Sequence, residues 1–173
     1  PDWPRRFDEE HRLLAAVFAG CNATIEHVGS TAVPDLGAKP VIDVLIGVAN
    51  LGEVEDRISA LEAAGYEYVQ EYEKNLPDRR YFRKPRFGQR AFHLHCVVKG
   101  SDFWIRHLAF RDYLRDHHAV AREYEDLKRT VAAQIVTADT KSQERYAVAE
   151  TTFIERVVGM AVSRGYPQDL SDQ

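Results

Sequence analysis

The segment from Pro40 to Val48 constrains this sequence most, because it is almost wholly apolar and rich in β-branched residues. A run of this length and composition is typical of a strand that is buried on both faces inside a sheet. The exception is Asp43, whose ionised carboxylate is costly to bury unless it is paired or coordinates a cation. The segment therefore predicts an interior strand that carries one paired or functional carboxylate.

The rest of the sequence combines helical and strand-like patterns. Apolar residues recur at helical spacing from Asp2 to Gly20 and from Asp102 to Gly165, whereas short β-rich runs occupy much of the first hundred residues. These patterns predict an α+β fold, with a mixed β-sheet, flanking helices and a helical C-terminal half. We expect one domain over residues 1–165 and a polar tail at 166–173. The other predicted strands are 24–28, 66–69, 80–84 and 91–98, and a helix carrying Val54, Ile58 and Leu61 is predicted to end at Gly65.

Charge and composition exclude several classes of protein. The chain has 23 Lys and Arg residues against 27 Asp and Glu residues, which gives a net charge of -4. General binding to nucleic acid is not expected, because it needs a basic surface. The sequence has no run of about 18 apolar residues and no leader-type segment, so we expect no membrane span and a cytoplasmic location. Cys21 and Cys96 are predicted to be buried, reduced thiols, with a single disulfide as the alternative. The expected partner is a small-molecule substrate.

A Gly-Ser pair follows the predicted strand 24–28. Gly29 lets the backbone approach a ligand closely, and the N–H groups after it would point outward at a helix start, where anions bind well. If the strands at 24–28 and 40–48 are parallel neighbours, Asp43 lies at the same sheet edge as this turn. A phosphate cradle beside a carboxylate is the minimum for a nucleotide–metal site. The alternatives are an ordinary turn capped by Ser30, and an Asp43 that is hydrogen-bonded to loop backbone.

Two histidines share one face of the predicted strand 91–98. His93 and His95 alternate with three apolar residues, which is the period-two pattern of a strand with two different faces. An imidazole there can ligate a metal, act as a general base or bind phosphate when protonated. The alternative is that both histidines face solvent or hydrogen-bond across strands. His27, beside the turn, is a third candidate.

Basic residues supply candidate phosphate contacts. The segment from Arg79 to Arg86 is strongly positive in an acidic protein, and Arg80 within it is predicted to attract phosphate groups. A solvated hairpin or loop is the alternative. Further candidates are Lys39, just before the buried strand, and Arg111 and Lys128 on the C-terminal helices. For the last two, surface ion pairs with acidic neighbours are the alternative.

The segment from Ile25 to Val44, IEHVGSTAVPDLGAKPVIDV, resembles the signature of GrpB-type proteins. The resemblance continues through His93–His95, through Phe110–Arg115 and through Tyr124–Lys128, so it spans most of the chain. Members of this family are placed in the nucleotidyltransferase superfamily and also occur fused to dephospho-CoA kinases. The ordered set of blocks is specific to the family.

The resemblance implies a nucleotidyltransferase-like fold, with a Gly-Ser turn at a helix start and an acidic metal ligand on the next strand. Matched by position, Gly29, Ser30 and Thr31 would bind the phosphates of ATP or another nucleoside triphosphate. Asp43 would be the first carboxylate of a site for Mg²⁺ or Mn²⁺, with His95 as a second ligand. Nitrogen ligands beside one carboxylate favour Mn²⁺ or Zn²⁺ over Mg²⁺.

The chain departs from the pattern that this resemblance implies at two positions. Leu45 stands where a second carboxylate is usual, two residues after Asp43, and Glu150 stands where the family often has a lysine. The first predicted function is metal-assisted transfer of a nucleotidyl or phosphoryl-linked group from a nucleoside triphosphate to a small acceptor, with His93 or His95 as base. The alternatives are a catalytically reduced module that binds a nucleotide or phosphometabolite, and an enzyme that uses the cleft for other group-transfer or ligation chemistry.

Overall fold

The strand predicted from the apolar run lies inside a mixed sheet. The computed structural model describes residues 2–86, 89–135 and 140–167, and within them it contains five strands. These are β1 (Thr24–Val28), β2 (Ile42–Val48), β3 (Glu67–Tyr68), β4 (Arg79–Arg86) and β5 (Gln89–Val98). The order is β1-β2-β5-β4-β3, with β2 parallel to β5 and the other neighbouring pairs antiparallel. The predicted α+β class and mixed sheet are confirmed.

Helices precede, interrupt and follow the strands. They are α1 (Trp3–Val17), α2 (Gly52–Glu55), α3 (Ile58–Ala63), α4 (Asp102–Asp116), α5 (His118–Ile135) and α6 (Thr140–Ser163). The single helix predicted around Val54 and Leu61 is wrong, because the backbone leaves helical geometry at Arg57 (φ -112°, ψ 4°) and separates α2 from α3. Both apolar residues are nevertheless fully buried. No helix in the described part of the chain has the length and apolar character needed to cross a membrane.

Alternation along β2 and β5 gives the sheet two chemically different faces. The even-numbered residues of β2 and β5, such as Val44 and Leu94, are buried in an apolar core against α1, α2 and α3. The odd-numbered Asp43, His93 and His95 lie on the opposite face. The core thereby fixes which face carries the polar side chains, because a one-residue shift of register would bury all three.

The two cysteines are free thiols, as predicted, but the predicted burial is wrong for Cys21, which is only partly buried. Cys96 is fully buried on the core face of β5, and burial raises the pKa of its thiol. A buried thiol of this kind packs as a small apolar group and is chemically inert.

Contacts divide the chain into two compact units. The first comprises Pro1–Ala32 and Ala38–Ile105 and contains the whole sheet. The second comprises Val33–Gly37 and Arg106–Gln173, and its described core includes Tyr124 of α5 stacked on Phe153 of α6 with ring centroids 5.4 Å apart. The single domain expected over residues 1–165 stays a prediction. Of the predicted tail, residues 168–173 lie outside the described residues.

Candidate functional site

Asp43 lies directly beside Gly29, although the strand geometry differs from the prediction. β1 and β2 are neighbours but antiparallel, so only the first of the two conditions set for this placement is met, and Val28 is the partner of Asp43. The chain leaves β1 at the edge where it enters β2, which still brings the turn to the carboxylate. Gly29 has a φ of +72°, and a Cβ there would lie 2.4 Å from Oδ2 of Asp43. This backbone conformation and this close approach both require glycine.

Asp43 accepts a hydrogen bond from His93 and lies close to His95. Nδ1 of His93 is 3.1 Å from Oδ1 of Asp43, and Nε2 of His95 is 3.9 Å from the same oxygen. The parallel pairing of β2 and β5 creates this cluster by placing Asp43 opposite His93. The Asp43 side chain keeps 30% of its surface exposed, so internal contacts do not enclose it.

Opposing effects set the ionisation of Asp43. Burial raises its pKa, but the hydrogen bonds and charge of His93 and His95 outweigh burial and bring the pKa to about 2, below the usual 3.8. Asp43 is therefore a carboxylate at neutral pH. It can hold the Nδ1 proton of His93 and stabilise a positive charge on that ring.

Arg79 fixes the tautomer of His95. Nη1 of Arg79 lies 3.2 Å from Nδ1 of His95. A guanidinium only donates, so Nδ1 is the acceptor and the proton of the neutral ring sits on Nε2, towards Asp43. Burial lowers the pKa of His95 and the charge of Arg79 lowers it further, against the opposite effect of Asp43. His95 is thus held neutral, with both ring nitrogens engaged.

His93 has the opposite tautomer. Because the Asp43 carboxylate accepts at Nδ1, the neutral ring carries its proton there and has a lone pair on Nε2. Nε2 is buried, and no described residue donates a hydrogen bond to it. Buried polar atoms without a partner are uncommon in folded proteins. An imidazole oriented by a carboxylate, with its second ring nitrogen unprotonated, is the arrangement of a general base.

Arg79 and Tyr81 belong to this cluster without being predicted site residues. Tyr81 pairs with His95 across β4 and β5, and its ring lies 5.2 Å from that of His95. The sequence could have indicated both residues, because residues 79 and 81 are two apart and therefore share one face of a strand. Arg80, which was predicted to contact phosphate, points to the other face of the sheet and pairs with Cys96. Its Nη2 instead donates to Oε1 of Glu55 at 2.6 Å.

The remaining basic candidates are Lys39 in the first compact unit and Arg111 and Lys128 in the second. Lys39 is exposed in the loop before β2. Arg111 and Lys128 belong to the second unit and have protein partners there. Nε of Arg111 donates to Asp112 at 2.7 Å, and Nζ of Lys128 donates to the carbonyl of Gly37 at 2.8 Å. Their roles in ligand binding stay predictions.

His27 and Thr31 support the turn from the inside. Nε2 of His27 and Oγ1 of Thr31 are 2.9 Å apart, and both side chains are buried. The His27 ring also stacks on Phe7 of α1, with centroids 4.6 Å apart. This contact ties the end of β1 to the one-turn 3-10 helix Ser30–Ala32 that follows Gly29.

Leu45 and Glu150, the two positions at which the chain departs from the pattern implied by the resemblance, both contact other parts of the protein. Leu45 is fully buried on the same strand face as Asp43, where a second carboxylate would have no access to solvent. Glu150 accepts a hydrogen bond from the hydroxyl of Tyr124 at 3.2 Å. Both side chains are thus accounted for by contacts inside the protein.

The donors do not fit the predicted metal site of Asp43 and His95. Nδ1 of His95 accepts from a cationic guanidinium and Nε2 carries the ring proton, so neither nitrogen offers a lone pair. Oδ1 of Asp43 already accepts from His93. No group of three His, Cys, Asp or Glu residues able to hold a metal ion occurs within the described ranges. A divalent ion beside a triphosphate needs several oxygen ligands. The arrangement leaves His93 as the reactive group of the cluster.

The fold and the cluster together define an α+β protein with a carboxylate–histidine site beside a glycine turn, and comparison with known proteins identifies its family. The sequence profile of the GrpB protein family matches residues 1–159, so the chain belongs to the GrpB family. The glutamate-rich protein GrpB of Alkalihalophilus pseudofirmus is 30% identical over 161 residues, covering 91% of this chain and 89% of that protein. The crystal structure of conserved protein GrpB from Enterococcus faecalis superimposes with a TM-score of 0.80 at 34% identity, covering 95% of this chain and 94% of that one. The predicted family and fold class are confirmed.

Other relatives differ from this chain in length. The UPF0157 protein YqkA of Bacillus subtilis is 41% identical over 132 residues, which are 76% of this chain but 38% of YqkA. A dephospho-CoA kinase of Mycolicibacterium paratuberculosis is 36% identical over 69 residues, which are 38% of this chain and 17% of the kinase. The second match agrees with the predicted occurrence of this family in fusions with such kinases.

Proposed function

We propose that this protein is a group-transfer enzyme of nucleotidyltransferase type in which His93 is the general base. The observation that carries the proposal is the 3.1 Å hydrogen bond between His93 and Asp43, because it orients the ring and leaves Nε2 for a substrate proton. The glycine turn beside Asp43 is the proposed position of the donor's phosphates, on the strength of the family resemblance and of the close backbone approach at Gly29.

In the proposed reaction, a hydroxyl or amine of a small acceptor attacks the α-phosphorus of a nucleoside triphosphate. The new bond to phosphorus forms while the O–H or N–H bond breaks, and the proton moves to Nε2 of His93. The P–O bond to the β-phosphate breaks, and pyrophosphate leaves with the electron pair. Asp43 stays ionised throughout and stabilises the imidazolium. General base catalysis of this kind contributes about 10²–10⁴-fold in rate.

The charge of the cluster changes favourably during this step. An ionised Asp43 beside a triphosphate is repulsive at the start, although the hydrogen bond from His93 delocalises part of its charge. When His93 takes the proton, the Asp43–His93 pair becomes neutral overall. The repulsion therefore falls as pyrophosphate develops its additional negative charge, which favours the transition state over the ground state.

The experiment is pyrophosphate release from nucleoside triphosphates in the presence of a panel of small alcohols and amines. We expect acceptor-dependent release by the wild type, and a fall in kcat of about 10²-fold or more in His93→Gln with little change in KM. His11→Gln is the matched control, since this histidine of α1 packs against Phe7. A His93→Gln variant with full activity would reject the assigned base.

Binding without turnover is the second candidate function. It is favoured by Leu45, a fully buried apolar residue at the position where the resemblance implies a second carboxylate. In that case, calorimetry would detect a nucleotide or phosphometabolite bound to the wild type, with no acceptor in the panel causing pyrophosphate release. His93→Gln would then bind that ligand as the wild type does.

A further inference from the structure

Arg79 is a partly buried guanidinium beside His95, and none of the described carboxylates pairs with it. Its side chain makes one hydrogen bond within the described residues, from Nη1 to His95. Nε is buried and has no acceptor among those residues. The adjacent arginines on the same strand, Arg80 and Arg83, each pair with a glutamate. Because a desolvated cation without a counter-charge is costly, Arg79 is suited to receive an anionic group from a ligand.

The geometry of the guanidinium indicates the shape of that anion. Nη1 of Arg79 is directed at His95, whereas Nε and Nη2 form the other edge of the planar group. The two N–H bonds of this edge are parallel, at the spacing that receives both oxygens of one carboxylate. The available edge therefore favours a planar, bidentate anion.

Aromatic rings surround the same guanidinium. Cζ of Arg79 lies 5.1 Å from the ring centre of Tyr81 and 5.7 Å from that of Phe103. Tyr72 stacks on Tyr81 with centroids 5.2 Å apart and is 41% exposed. A flat apolar group attached to the anion would extend the stack formed by Tyr81 and Tyr72.

Arg79 and the Gly29 turn approach the reactive histidine from different sides. The turn follows β1 and Arg79 begins β4, and the strand order places β1 and β4 on opposite sides of the β2–β5 pair. His93 lies on β5, between them. A donor at the turn and a second molecule at Arg79 would therefore flank His93 without competing for one position.

We propose that Arg79 binds the carboxylate of the acceptor, and that the acceptor is a carboxylic acid bearing an aromatic or similarly flat group. The inference rests on the proposed function, which supplies the need for an acceptor within reach of His93. Arg79 acts here as a binding residue: it holds the acceptor by its carboxylate so that the hydroxyl or amine faces the base. Tyr72 and Tyr81 contribute the surface on which the flat group stacks.

The test is binding of three probes in the absence of nucleotide: phenylacetate, phenylacetamide and phenyl phosphate, each titrated by ligand-observed NMR. We expect the wild type to bind phenylacetate at least about 10-fold more tightly than the amide, and Arg79→Gln to lose about 10-fold in phenylacetate affinity. Arg79→Lys should lose less, because it keeps the charge without the planar fork. Arg80→Gln, the neighbouring arginine on the opposite face, should bind phenylacetate as the wild type does.

Tyr72→Ala serves as a second variant, because this exposed ring can be removed without disturbing the core. This variant should bind phenylacetate several-fold more weakly than the wild type and should still prefer the acid to the amide. Equal binding of acid and amide to the wild type would overturn the inference, as would an Arg79→Gln variant with unchanged affinity. Phenyl phosphate bound about 10-fold more tightly than phenylacetate would assign Arg79 to the donor's phosphate instead and overturn the carboxylate assignment.

The outcome separates this inference from the proposed function, since no nucleotide is present in the titration. Acceptor-dependent pyrophosphate release without Arg79-dependent binding would overturn the inference alone. Arg79-dependent binding of phenylacetate, with no pyrophosphate release from any acceptor of this class, would overturn the proposed transfer reaction and leave the carboxylate subsite in place.

Discussion

Oδ2 of Asp43 lies 2.4 Å from the point that a Cβ at residue 29 would occupy. The turn and the carboxylate therefore constrain each other: Asp43 can hold its position against His93 because residue 29 has no side chain. Gly29 also has a φ of +72°, which disfavours other residues independently of this contact.

Gly29→Ala should destabilise the protein more than a positive φ alone can explain. The matched control is Gly20→Ala, because Gly20 has a φ of +85° but nothing within 4 Å of its added Cβ. We expect the control to lose about 1–2 kcal/mol in free energy of unfolding and Gly29→Ala to lose about 3 kcal/mol or more. Urea denaturation measures both. Equal losses would show that Asp43 moves away from residue 29 without cost.

Asp43→Asn should make stability less dependent on pH in the acid range. The pKa of Asp43 is about 2 when folded and 3.8 ordinarily, so the folded state favours the ionised form. That stabilisation, about 2 kcal/mol, is fully present above about pH 4 and is lost as the pH falls through 2. The difference in unfolding free energy between wild type and variant should shrink over this interval. A difference that stays constant from pH 6 to pH 2 would contradict the assigned ionisation, and exposed Asp8→Asn is the control.

His95→Gln should leave the affinity for Mn²⁺ unchanged. Nδ1 of His95 accepts from Arg79 and Nε2 carries the ring proton, so neither nitrogen has a lone pair to offer a metal. Electron paramagnetic resonance of Mn²⁺ titrated with wild type and variant measures this directly. A loss of about 10-fold or more in the variant would support the metal site that the sequence predicts, and would mean that Arg79 leaves His95 when the ion binds.

Leu45→Asp tests whether the missing second carboxylate can be restored. Leu45 is fully buried, so a carboxylate there should cost about 3 kcal/mol or more in free energy of unfolding. Leu45→Met, which conserves volume, should cost less than about 1.5 kcal/mol. Thermal denaturation distinguishes the two variants. A stable Leu45→Asp protein that gains affinity for Mn²⁺ would show that this face can accept the usual two-carboxylate site.

Much of the sheet is predictable because its strands obey simple burial rules. The apolar run around Asp43 predicts an interior strand, and the alternation at His93 and His95 predicts a strand with a polar face; both are confirmed. The direction of β1 is not predictable in the same way. A Gly-Ser turn brings the chain to the edge near Asp43 whether the strands are parallel or antiparallel, provided that Asp43 lies at the matching end of β2.

The side chains that complete the site depend on register, which local sequence does not contain. Alternation separates Arg79 and Tyr81 from Arg80, but the pairing of Tyr81 with His95 is needed to show which set faces the histidines. The tautomers likewise depend on distances across three strands. Charge alone favours Arg80 as a phosphate contact, whereas the structure pairs it with Glu55.

The role assigned to His93 requires the proton of its neutral ring to sit on Nδ1, and long-range ¹H–¹⁵N NMR of the imidazole rings at pH 7 measures this. We expect His93 to carry its proton on Nδ1 and His95 to carry its own on Nε2. In Arg79→Gln, the proton of His95 should distribute over both ring nitrogens, whereas the proton of His93 should stay on Nδ1. A neutral His93 ring that carries its proton on Nε2 would contradict the assigned role.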